Sequence, residues 1–285
     1  MANLFAYLQY LLPRYLLTRI VYSLSRVRRP AVKDALIRGF VRLYDVDISD
    51  IARSAPDGFN SFNDFFTREL RDDARPLDTA AVVAPCDGKV SAVGTIRNGE
   101  LLQAKGQPYS VEDLLAVDTD DAGRLHDGRF LTIYLAPYNY HRVHLPMGGR
   151  LESLHYIPGD LFSVNGATAA VIPRLFARNE RLVAKLVAPE GTFFVVMVGA
   201  LNVGSITTPW SGELRPRRDG SVQAVPLDSA VGRDLARGDL LGWFNMGSTV
   251  ILLGPPDLFD WDSTIAPGRV VRMGNGIGIV GDAAD

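Results

Sequence analysis

Thr249-Val250-Ile251-Leu252-Leu253 is a short β-rich run, four of its five residues apolar, and Phe244-Asn245-Met246-Gly247-Ser248 leads directly into it. A short run of this kind, entered through a Gly-Ser pair, reads as an apolar strand. Comparable short runs occupy 82–84, 130–135, 193–198 and 269–273. Turn dipeptides such as Asp87-Gly88 separate these β-rich stretches. No regular alternation with long helices marks a doubly wound sheet. The expected class is α+β, a largely antiparallel β core preceded by N-terminal amphipathic helices.

Those helices are read from Leu4, Phe5, Leu8, Leu11 and Leu12, then, after Pro13, from Leu16, Leu17, Ile20, Val21 and Leu24. Pro30 opens a third, with Val32, Leu36, Ile37, Phe40, Val41 and Tyr44 on its apolar stripe. Ser61 and Ser110 cap shorter ones, with Asp64 and Asp113 three residues on. Residues 1–60 are therefore expected to form a helical membrane-associating region and 61–285 a catalytic domain.

The net charge is −2, yet Arg14, Arg19, Arg26, Arg28, Arg29 and Lys33 stand in the first 33 residues with no acidic residue among them. A basic, apolar end on an acidic body suits an anionic lipid surface. Packing of the helical pair on the protein's own core is the alternative. Nucleic acid is disfavoured because the cations are interleaved with Leu and Ile. Pro13, Arg14 and Arg19 interrupt any stretch of about 20 apolar residues that could span a bilayer. No signal peptide is expected, since no cation precedes the first apolar run. With 47% hydrophobic and 22% charged residues the composition is that of a globular chain, and the lone Cys86 can form no internal disulfide.

The chemistry-bearing residues are few. A hydroxyl at Ser248 can attack the Gly247 carbonyl and turn a peptide bond into an ester, and glycine leaves that carbonyl unobstructed. Such a serine needs a base, commonly a histidine oriented by a carboxylate. His141 and His144 fall together in Tyr138-Asn139-Tyr140-His141-Arg142-Val143-His144. In extended chain, residues three apart face opposite ways, so both imidazoles share a pocket only if a bulge intervenes. No metal site is expected there, for want of a third ligand. Asp87 can supply the carboxylate, or Asp87-Gly88 can be a hairpin turn.

Taken with Phe62-Asn63-Asp64-Phe65-Phe66-Thr67-Arg68-Glu69-Leu70, Arg75-Pro76-Leu77-Asp78, Lys105-Gly106, 158–165 and 175–181, these segments occur in an order that resembles the bacterial, pyruvoyl-dependent phosphatidylserine decarboxylase family. One departure is Met246, where the family commonly has leucine. The resemblance implies autocatalytic cleavage between Gly247 and Ser248 into chains 1–247 and 248–285. It implies an Asp87–His144–Ser248 triad, with Asp87 fixing the imidazole tautomer, and His141 in the decarboxylation. Ser248 would become a pyruvoyl cofactor that forms a Schiff base with phosphatidylserine, releasing carbon dioxide and phosphatidylethanolamine. The expected partners are phosphatidylserine, a membrane surface and the protein's own second chain, with no metal and no nucleic acid; homo-oligomerisation stays open. The expected location is peripheral, on the cytoplasmic face of the cell membrane. A Ser-His-Asp lipid or peptide hydrolase is the alternative.

Overall fold

The computed structural model describes residues 6–103, 106–116, 119–201, 205–217, 220–227 and 233–281. Leu4 and Phe5 of the expected first helix, and Lys105, lie outside them. Residues 6–8 form a helical turn, and α1 (Arg14–Ser25) begins directly after Pro13. α2 (Pro30–Tyr44) starts on proline, where the missing N–H has no intrahelical acceptor to lose. None of the helices among the described residues is long and apolar enough to cross a membrane.

The helices bury only part of their apolar surface. Leu8, Leu16, Ile20, Leu24 and Leu43 are exposed, and Leu11 is 82% exposed, which a purely core-packed pair would avoid. On the inward side, Ile37 and Phe40 of α2 meet Phe59, Phe62, Phe65 and Phe66. The last three belong to α3 (Phe62–Phe66), held at its start by Ser61 Oγ, which accepts the Asp64 N–H at 3.1 Å. Met246 packs against this aromatic cluster and also against the main core.

The main core is a nine-stranded antiparallel sheet. Its path runs Gln223–Ala224, Gly149–Ile157, Arg181–Ala188, Gly191–Val198, Ser248–Gly254, Arg129–Leu135, Gly88–Thr95 and Val270–Val271, with Asp234–Leu235 added beside Gly149–Ile157. The α+β architecture matches the expected class. Every residue of Ser248–Gly254 is buried, so Val250, Ile251, Leu252 and Leu253 each contribute on the order of 1.5–3 kcal/mol. A four-stranded sheet, ordered Gly212–Leu214, Ile206–Thr208, Leu240–Phe244 and Arg142–His144, adjoins it. Leu240–Phe244 leads into Ser248–Gly254 through residues 245–247, so both sheets meet at the Gly247–Ser248 bond.

Two long strands, Gly149–Ile157 and Arg181–Ala188, were not among the expected runs. Arg150, Glu152, Arg181 and Lys185 interrupt their apolar pattern; Lys185 is held by Asp121 at 2.8 Å and Glu152 at 3.0 Å. The 269–273 run is ordered as strand only over Val270–Val271.

Just before Arg181–Ala188, Glu180 is fully buried and accepts the Tyr156 hydroxyl at 2.7 Å. Gly199 makes room for it, since a Cβ there would lie 2.6 Å from Glu180 Oε1. Burial raises the Glu180 carboxyl from 4.5 to about 7, against the lowering effect of the Tyr156 bond. The folded chain keeps a proton that the unfolded chain has lost, so this stabilisation is full below about pH 4.5 and disappears as pH rises through about 7. Glu180→Gln keeps the Tyr156 bond and removes the titration. Denaturant midpoints at about pH 5 and about pH 8 should differ less in the variant than in the parent.

Candidate active site

Ser248 is the first residue of its strand, paired with Leu135. Its side chain is fully buried, and Oγ has no hydrogen-bond partner. A buried hydroxyl left unpaired costs about 1–3 kcal/mol, an expense with no structural return here. Gly247 precedes it with open space, for a Cβ there would meet nothing within 4 Å. Packing therefore does not require glycine at 247, and its flank is clear for an approaching group. Ser248 and Gly247 line a cleft of about 190 Å³ with Phe40, Phe66, Leu135 and Met246.

Phe66 connects this cleft to His141. The two rings are 4.1 Å apart at 38°. His141 is fully buried, and its Nδ1 donates to the Asn139 carbonyl at 2.8 Å. Nε2 is left with its lone pair and no partner. Burial, aided by the Arg68 guanidinium, lowers its pKa to about 3, so the ring is neutral at neutral pH. Arg68 is itself buried and donates to the Tyr138 and Asn139 carbonyls at 2.9 and 3.3 Å.

His144 occupies another environment, in keeping with the alternation of extended chain. Nδ1 donates to the Gly238 carbonyl at 2.8 Å, and Nε2 accepts the Tyr140 hydroxyl at 3.0 Å. The Tyr140 ring stacks on it at 5.7 Å and 25°. Burial depresses the His144 pKa, while the Gly238 carbonyl and the charge of Asp87 oppose that shift. A bulge does occur nearby, in the partner strand, where Leu240 faces His144 and Gly242 faces Val143. The two imidazoles have no hydrogen-bond partner in common.

Asp87 is buried and close enough to act on His144 by charge, but makes no hydrogen bond to it. Oδ1 accepts from Arg75 Nε at 3.0 Å and from the Met273 N–H at 2.8 Å, and Oδ2 accepts from Arg75 at 2.7 Å. The hydrogen bond that sets the His144 tautomer in this structure goes to the Gly238 carbonyl rather than to Asp87. Asp87-Gly88 is no hairpin turn either. Gly88 opens a sheet strand, and a Cβ on it would lie 2.6 Å from the Tyr134 carbonyl oxygen.

The structure therefore places Ser248, His141, His144 and Asp87 around the junction of the two sheets without hydrogen-bonding them to one another. Residue types alone did not reveal Arg75 as the clamp on Asp87, Tyr140 as the partner of His144, or Phe66 as the link between His141 and the cleft. Arg75, Tyr140 and Phe66 lie inside the quoted segments. Gly238 lies 94 positions from His144 and carried no signal.

A buried, unpaired serine hydroxyl lines the cleft, and a neutral buried histidine with a free lone pair lies behind its Phe66 wall. Comparison with known proteins identifies the group. A family model described as phosphatidylserine decarboxylase matches residues 62–279, and one described as PSD matches 4–45. The phosphatidylserine decarboxylase proenzyme of Methylococcus capsulatus is 43% identical, over 97% of this chain and 96% of its own length. Those of Methylibium petroleiphilum and Shewanella sp. (strain MR-7) are each 44% identical, covering 94% of this chain and 94% and 93% of theirs. The chain belongs to the phosphatidylserine decarboxylase family.

His141 should stay neutral through the physiological range. In proton NMR its imidazole signals should not move until pH falls towards about 3. A shift centred near 6.5 would show the ring to be solvated.

Proposed function

We propose that this chain breaks its own Gly247–Ser248 bond and uses the new terminus to decarboxylate phosphatidylserine to phosphatidylethanolamine. Decarboxylation of phosphatidylserine by a chain made as a proenzyme follows from family membership, and the relatives give the hydrolase alternative no support. The bond, the residue roles and the cofactor are our inference. The observation that carries them is the buried, unpartnered Ser248 Oγ beside the open flank of Gly247.

In this reading Ser248 Oγ attacks the Gly247 carbonyl, the C–N bond breaks, and an ester joins the two segments while the Ser248 nitrogen becomes an amine. His144 takes the hydroxyl proton and returns it to the departing Ser248 nitrogen. The tautomer set by Gly238 leaves its Nε2 as the acceptor, and the Tyr140 hydroxyl that now occupies Nε2 has to yield it. Asp87 favours the imidazolium by its charge. The ester then eliminates, giving a 1–247 chain with a free carboxylate. Residue 248, after hydrolysis and loss of ammonia, is a pyruvoyl group.

The residues fit such a group, for the atom it derives from is buried, unpaired and next to free space. When formed, it supplies an electron-withdrawing carbonyl that accepts the electrons released with carbon dioxide. His141 Nε2 is placed to handle a proton in that half of the reaction, and the aromatic wall of Phe40 and Phe66 limits water.

The lipid reading has support in a second cavity. An apolar groove of about 340 Å³ between α1 and α2 is lined by Val21, Leu24, Leu36, Leu43, Phe62 and others, and it shares Phe40 and Met246 with the Ser248 cleft. A diacyl substrate can lie in the groove while its head group passes Met246. Residues 1–60 then serve as the membrane-associating region of the 61–285 catalytic domain, attached peripherally at the cytoplasmic face.

A second reading concerns the base. The Phe244 N–H donates to the His141 carbonyl at 3.1 Å, whereas His144 pairs with Leu240, further from the cleavage turn. His141 therefore competes with His144 for the proton of Ser248.

Intact-mass analysis of purified protein should find two polypeptides, the smaller spanning 248–285 with no sequenceable N-terminal amine, and Ser248→Ala should remain one chain. A free serine amine on the smaller piece would rule out the pyruvoyl group. His144→Ala should accumulate as uncleaved precursor. His141→Ala should cleave, yet turn over lipid slower by roughly 10²–10⁴-fold. The reverse pattern would assign self-cleavage to His141.

A further inference from the structure

α1 also forms one wall of a larger cleft that shares no lining residue with the Ser248 site. It encloses about 610 Å³ between Tyr15, Thr18, Arg19 and Tyr22 on the helix and Leu161, Arg215 and Pro216 opposite. The carboxylates bordering it are already bound. Asp160 holds Arg14 at 2.9 Å and Arg178 at 3.2 Å. Glu213 holds Arg26 at 2.5 Å and accepts the Tyr22 hydroxyl at 2.9 Å.

Arg19 and Arg215 have no carboxylate partner among the described residues. The Arg215 and Arg26 guanidinium carbons lie 4.2 and 3.6 Å from the Tyr22 ring centroid, and of these two cations only Arg26 has a counter-ion. The cleft therefore carries two uncompensated positive charges. Its rim is apolar. Leu16 and Arg19 also line an adjoining shallow surface with Ile20, Leu24 and Val27, and Leu16, Ile20 and Leu24 are exposed. An occupant that satisfies both parts is an anion joined to an apolar body.

We propose that this cleft binds the phosphodiester head group of an anionic phospholipid, with Arg19 and Arg215 on the phosphate and Leu16 and Ile20 against the acyl chains. It is a docking site for a lipid that is not consumed, and it deepens the membrane-associating reading of residues 1–60. Guanidinium groups suit the task because they present paired donors to a phosphate. General attraction of a basic segment treats all cations alike. A built site does not.

The test compares two full-length double variants, Arg19→Ala with Arg215→Ala and Arg28→Ala with Arg29→Ala, each checked for folding by circular dichroism. The second pair removes equal charge from exposed positions just beyond α1. Binding to phosphatidylcholine vesicles containing phosphatidylglycerol should fall at least about tenfold further in the first pair than in the second. Calorimetric titration of the parent with monomeric dihexanoyl phosphatidylglycerol should saturate, and this binding should be lost in the first pair alone. Equal losses in the two pairs, or saturation by inorganic phosphate as tight as by the lipid, would overturn the proposal. If the parent ignores the vesicles yet binds the short-chain lipid, the site stands and membrane attachment falls; binding to neither removes both.

Discussion

The rest of the site depends on the pairing of Ser248–Gly254 between Gly191–Val198 and Arg129–Leu135. Both edges of this strand are hydrogen-bonded and both faces are buried, so its first residue is fixed by the full ladder behind it. Gly247, one residue earlier, has left the ladder and has empty space at its side. Between these two residues the chain passes out of the sheet into an open-sided turn. In the proposed self-cleavage this sets a rigidly held Ser248 hydroxyl beside a Gly247 whose flank is open.

The polar groups around that bond are held by partners outside the reacting set. Arg75 and the Met273 N–H secure Asp87, the Gly238 carbonyl sets the proton on His144, and the Asn139 carbonyl sets that on His141. Carbonyl acceptors dictate a tautomer without adding a titratable group. Each imidazole thereby keeps Nε2 as its acceptor while burial keeps the ring uncharged. Asp87 reaches His144 by charge alone, while a backbone oxygen orients the ring.

Much of this was legible in the sequence, and the gaps have definite causes. The 249–253 run announced a strand because its β-branched and aliphatic residues favour one, and Pro13, Pro30 and Ser61 marked helix boundaries through local chemistry. Gly149–Ile157 and Arg181–Ala188 were hidden because charged side chains on them are satisfied by ion pairs and carbonyls that only the fold brings near, as with Arg181 and the Leu114 and Asp113 carbonyls. Ser248, His141, His144 and Asp87 could be picked by residue type and order. Their orientation could not, because main-chain oxygens such as that of Gly238 belong to every residue and leave no mark in composition.

The position of the proposed cleavage bond at the edge of the central strand bears on reversibility. A cut between 247 and 248 removes no rung of the sheet, so the short segment remains clamped between its two neighbours and the native state scarcely registers the loss. The unfolded state registers it fully. Before the cut, refolding is an event within one molecule; afterwards two separate chains have to meet, at a rate set by their concentration, and the strand that must find its slot is the innermost one. An enzyme cut at that bond therefore retains its shape chiefly by never letting go of it, and its lifetime is governed by the rate of opening rather than by the equilibrium that first formed it.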